Sequence, residues 1–105
     1  MIRRNRSYLF EFTTRLRELK GLRATRERTQ IVQHIHAEFR QREEFTAEEV
    51  YESVKNAPRR VSRATVYRTL GCLVEVELLD RLEQELPSQP DPQMILYRVP
   101  AAWRD

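Results

Sequence analysis

Arg68 has the type and setting best suited to chemistry. At about 100° per helical residue it lies roughly 200° from Val66, opposite the apolar stripe Val66, Leu70, Leu73 and Val74. Its neighbours on that outer face, Ala64, Thr65 and Gly71, are all small. A guanidinium is a planar fork that matches the O6 and N7 acceptors of guanine, and small neighbours let a helix backbone come close to base edges. Thr65 or the ring of Tyr67, at the border between the two faces, could meet a thymine methyl. The plainer alternatives are a solvated Arg68, a half-packed Tyr67 and a Thr65 that bonds back to its own helix carbonyls. Arg59, Arg60 and Arg63 cluster just before and at the start of this helix, as phosphate contacts or as a basic solvated turn. Ser62, the expected cap of the helix, belongs to the same set.

Other chemistry finds little support. Cys72 is the single cysteine, which excludes an internal disulfide and a Cys-rich zinc site. His34 and His36 share a helix but point about 200° apart, so they cannot chelate one metal together. Each is expected to be a surface or partly packed histidine. No Gly-rich phosphate loop and no nucleophile–base pair is present. The expectation is therefore no enzyme, no cofactor, no metal and no small-molecule substrate.

The elements that must position Arg68 follow from periodicity. Leu9, Phe12, Leu16 and Leu19 recur at helical spacing and predict a first helix over 8–20, ending at Gly21. Thr25 caps a second helix with the apolar face Ile31, Val32, Ile35 and Phe39. Thr46-Ala47-Glu48-Glu49 is a capping box, in which hydroxyl and carboxylate each satisfy an orphan N–H. It opens a third helix that buries Ala47, Val50, Tyr51 and Val54. Pro58 closes that helix, and a fourth runs over 63–77. Leu78 to Leu82 and Ile95 to Val99 read as strands, joined by an irregular loop with Pro87, Pro90 and Pro92. Trp103 is expected to cover the edge of the core. This order, mainly α with a terminal two-stranded hairpin, is that of a winged helix-turn-helix domain. It forms one domain over 1–105: a basic arm (1–7), the first helix, a helical core (25–77) and a wing (78–99).

The net charge of +3 conceals an asymmetry. Residues 1–70 hold 16 of the 19 Lys and Arg against 9 acidic residues, while 71–105 hold 3 against 7. Lys20 and Lys55 are the sole lysines, and arginine suits phosphate and guanine better. No apolar run approaches the roughly 18 residues of a membrane span, and Glu11 and Arg15 interrupt any signal-like stretch. A cytoplasmic protein with no membrane partner is expected.

Three segments, Gly21-Leu22-Arg23-Ala24-Thr25-Arg26-Glu27-Arg28, Phe45-Thr46-Ala47-Glu48-Glu49-Val50-Tyr51 and Val61-Ser62-Arg63-Ala64-Thr65-Val66-Tyr67-Arg68-Thr69-Leu70, resemble successive signatures of the ferric uptake regulator family of bacterial transcription factors. The resemblance spans roughly Leu16 to Leu79. It implies a winged helix that binds double-stranded operator DNA, with Tyr67 and Arg68 in the major groove and Arg23 near the minor groove. It also implies a second half, rich in metal ligands and devoted to dimerisation, that is expected to be absent here. A family metal ligand often precedes the Thr-Ala-Glu-Glu segment, where this chain has Glu44 without partners. The wing departs too: family wings tend to have Gly and a basic tip, whereas Glu83, Glu85 and Asp91 make this one acidic. Such a wing would avoid phosphates and pack on the body or meet a basic partner. The expected partners are therefore DNA and, through an apolar first-helix face that includes Tyr8 and Phe10, a second copy or a full-length relative. The arm of Arg3, Arg4 and Arg6 would add phosphate contacts or remain a solvated tail. A protein-interaction module, or a decoy of full-length relatives, is the alternative function.

Overall fold

The computed structural model describes residues 7–58, 60–85, 87–89 and 91–105. Arg59 and the arm with Arg3, Arg4 and Arg6 lie outside the described residues. The helices are α1 (Tyr8–Lys20), α2 (Arg26–Phe39), α3 (Ala47–Val54) and α4 (Arg63–Glu75). Each opens on a hydroxyl: Ser7, Thr25, Thr46 and Ser62 accept from the backbone N–H groups of Phe10, Arg28, Glu49 and Thr65. The box at α3 is complete, since the Glu49 carboxylate also accepts from the Thr46 N–H at 2.9 Å. Gly21 ends α1 at φ 66°, a left-handed conformation that costs glycine nothing.

α2 packs against α1, α3 and α4, so the core gathers round its Ile31, Val32, Ile35 and Phe39 face. α1 contributes Tyr8, Phe12 and Leu16, one residue per turn. That differs from the expected stripe: Leu19 is 66% and Phe10 50% exposed. These two lie nine positions apart, about half a turn round the helix, so α1 presents separate apolar spots rather than one seam. Tyr8 is buried because its hydroxyl donates to the Leu78 carbonyl. On α4, Thr69 is buried beside Val66, Leu70 and Leu73, and its hydroxyl donates to the Thr65 carbonyl at 2.7 Å.

α4 ends at Glu75, two residues short of the expected end. Glu77 turns left-handed at φ 62°, its N–H donates to Val74 O (3.1 Å), and the Leu78 N–H donates to Leu73 O (2.8 Å). This closed C-terminal loop removes the Leu78 N–H from any ladder and shortens the first strand. β1 (Asp80–Arg81) pairs antiparallel with β2 (Tyr97–Arg98). Phe45 adds a bridge on the other side of Tyr97, exchanging bonds of 2.9 and 2.8 Å. Beyond β1, the Gln84 side chain stands in for a strand: its oxygen accepts from Leu96 N and its amide donates to Met94 O. The irregular loop carries one short 3-10 turn, Pro92–Met94, capped by Asp91. A second 3-10 turn, Ala101–Trp103, brings Trp103 into the core.

Candidate nucleic-acid interface

α4 is held by its buried stripe, and this leaves Arg68, Ala64 and Gly71 exposed on the opposite side. A Cβ placed at Gly71 would meet nothing within 4 Å, so this flank of the helix is open. Arg68 has no hydrogen-bond or ion-pair partner among the described residues, and the same holds for the exposed Arg60 and Arg23. Three expected cations are thus available to a ligand.

Ser62, Arg63, Thr65 and Tyr67 are instead tied into the protein. Ser62 Oγ accepts from the Thr65 N–H at 3.1 Å, and the two hydroxyls lie 3.0 Å apart. Thr65 is half-buried, and it is Thr69 rather than Thr65 that bonds back to a helix carbonyl. Tyr67 packs partly on the core, with its hydroxyl 3.5 Å from Glu48 Oε2. Burial first, and then the Glu48 charge, push the Tyr67 phenol up, so it remains a protonated donor. Arg63 forks onto Glu48, with Nε to Oε2 at 2.8 Å and Nη2 to Oε1 at 3.1 Å. Its guanidinium also lies over the Tyr51 ring at 4.4 Å. The Arg63 hydrogen bond in turn holds the Glu48 carboxyl below the usual carboxylate range.

Sequence spacing did not single out Glu48 or Tyr51 as part of this surface. Glu48 read as a first-turn residue of α3 and Tyr51 as core, and only the crossing of α3 with α4 brings both to Arg63. Beside them, Tyr51, Lys55, Asn56, Arg60, Val61 and Ser62 line an open groove ahead of α4. On the wing, Glu83 and Glu85 are exposed, and Asp91 is engaged by the Gln93 N–H.

Among the described residues no three His, Cys, Asp or Glu side chains group to hold an ion. His34 pairs with the Ser53 hydroxyl, and His36 Nε2 lies 3.0 Å from the Trp103 carbonyl.

Four helices with a two-stranded antiparallel hairpin, in which α4 turns its polar side outward, define a winged helix-turn-helix domain. The chain belongs to the ferric uptake regulator family, whose model matches residues 19–89. Among solved structures it is similar to GAS PerR-Zn-Zn, with a TM-score of 0.66 and 21% identity over 93% of this chain and 58% of that one. It is similar also to PerR from Streptococcus pyogenes, described for peroxide sensing and gene regulation. There the TM-score is 0.66 and the identity 21%, over 94% of this chain and 61% of that one. At that identity the likeness is one of fold, and the chain spans 58–61% of the length of these two proteins. No curated protein matches the sequence. No helix among the described residues is long and apolar enough to cross a membrane.

Proposed function

We propose that this chain is the sequence-reading DNA-binding domain of a cytoplasmic transcriptional regulator, with α4 lying in the major groove of double-stranded DNA. The observation that carries this reading is Arg68: an exposed guanidinium, unpaired among the described residues, on an open helix face flanked by Ala64 and Gly71. Arg68 forks onto a guanine, Tyr67 and Thr65 touch the neighbouring base edges, and Arg23 reaches toward the minor groove. Arg60, Arg59 and the Ser62-capped N-terminus of α4 supply phosphate contacts, because orphan N–H groups and the helix dipole favour an anion there. Arg63 contributes less, since its charge is already matched by Glu48.

One winged helix reads one half-site, and operator binding normally couples two. A single copy therefore binds weakly and with strong salt dependence. The test is selection from random duplex DNA, followed by anisotropy titration of wild type and Arg68→Ala at two salt concentrations. The mutation is expected to remove about 1–3 kcal/mol of discrimination for the enriched motif. Absent binding, or binding that is wholly non-specific and indifferent to Arg68, would sink the reading in favour of a protein-docking role.

A further inference from the structure

A carboxylate on a surface that approaches DNA is repelled by phosphate and lowers affinity for any sequence. Glu48 stands on such a surface, in the first turn of α3, and its contacts show what it does there. One carboxylate receives both arms of Arg63, at 2.8 and 3.1 Å, and faces the Tyr67 hydroxyl at 3.5 Å. Residues 63 and 67 are one turn apart on α4, so Glu48 ties α3 to two successive turns of the reading helix. Tyr51, one turn along α3, closes the slot from the other side, with the Arg63 guanidinium 4.4 Å from its ring centre. Arg63 is thereby laid back along α3 although it is the first residue of α4. Glu52, the other acidic residue felt by Arg63, is itself paired with Lys55 at 2.7 Å.

We propose that Glu48 is a positioning residue that sets the strength of DNA binding: it holds Arg63 and so lessens its pull on phosphate, and it faces Tyr67 on the reading surface. The inference rests on the DNA-reading role proposed above. Its physical basis is that cation–phosphate attraction supplies non-specific binding, whereas base-edge contacts supply discrimination. Removing one cation from the first class lowers affinity for every sequence alike and leaves the ratio between a correct and an incorrect site to the base contacts.

The experiment measures wild type, Glu48→Gln, Arg63→Ala and the double variant against two duplexes of equal length, one carrying the selected motif and one of random sequence. Glutamine nearly matches glutamate in shape and leaves the Thr46–Glu49 box untouched, and melting curves verify the fold of each variant. Glu48→Gln is expected to tighten binding to the random duplex and to steepen the salt slope by about one unit. Its advantage over wild type then grows roughly threefold between about 200 and about 50 mM salt, to the same extent on both duplexes. Both gains should shrink in the Arg63→Ala background, to what the lost carboxylate charge alone supplies. The inference is overturned if wild type reads the motif but Glu48→Gln matches it on both duplexes. It is equally overturned if the gain persists undiminished without Arg63, which would reduce Glu48 to bulk charge. If neither wild type nor any variant binds either duplex, the DNA-reading role itself fails and this inference fails with it.

Discussion

Glu77 shows how much a single backbone position can cost. It holds φ at 62° without being a glycine, in order to close α4 and send Leu78 into the core. A side chain in that region meets the following carbonyl and strains the chain by about 1–2 kcal/mol. Because the Glu77 side chain is exposed, Glu77→Gly should stabilise the domain by about 0.5–1 kcal/mol, net of the greater freedom glycine has when unfolded. A urea midpoint that rises with unchanged slope would bear this out, and an unchanged or lower midpoint would refute it. Arg68 lies at the other extreme. It supports nothing internally, so its replacement should leave the melting curve in place while altering DNA discrimination. That separation distinguishes a reading residue from a structural one.

Between elements, Arg15 joins α1 to the end of α4. Its Nε donates to Glu11 at 2.8 Å while Nη1 donates to the Val76 carbonyl at 2.8 Å, so one side chain bridges its own helix and the C-terminus of another. A cation at a helix C-terminus also suits the dipole. Arg15→Ala should therefore cost about 1 kcal/mol, with the Val76 carbonyl left short of a partner. Arg15→Lys should recover less than half of that loss, since one ammonium lacks the rigid fork that makes both bonds at once. Equal melting temperatures for the arginine and lysine forms would argue against the bridging role. The Thr46 box is a second such device, and Thr46→Ala should cost about 1 kcal/mol in the same assay.

Across the whole molecule, the N- and C-terminal ends of the described chain meet over α2. Tyr8 stacks on His36 with ring centres 4.7 Å apart and meets Trp103 edge-on at 5.6 Å. His36 Nε2 donates to the Trp103 carbonyl at 3.0 Å. Burial, first, and the Arg40 charge depress the His36 pKa, against the opposing pull of that carbonyl. The unfolded chain, with its ordinary value of about 6.5, thus takes up the proton more readily than the folded one. The stabilisation is fully present above that value and is lost as pH falls through the lower, folded value. The carboxylates of Glu48 and Glu49, held below their usual range by Arg63 and Arg42, lose their contribution only at lower pH. Denaturant midpoints between about pH 7.5 and about pH 5.5 should therefore decline for wild type and stay flat for His36→Gln. A His36→Gln variant that follows wild type through this window would assign the decline elsewhere.

Helix order and type were legible in the sequence because each helix carries its own local instruction. Thr25, Thr46 and Ser62 bond N–H groups three residues ahead, Gly21 stops α1 by conformation, and the apolar period marks each buried face. The outward setting of Arg68 followed from the same period, since a stripe that must be buried fixes what lies opposite it. Three features were not legible, because each depends on residues far apart in the chain. Tyr8 enters the core through the carbonyl of Leu78, 70 residues away. The wing strands shorten because α4 closes through Leu78, and the Gln84 side chain replaces part of the ladder. Above all, Arg63 looked like a free cation and became a paired one, since Glu48, 15 positions before it, comes within 2.8 Å only when α3 crosses α4. Local bonds and periodicity act over about one helical turn and can be read from residue order. The charge that a surface finally presents is decided by which distant side chains the packed helices bring together.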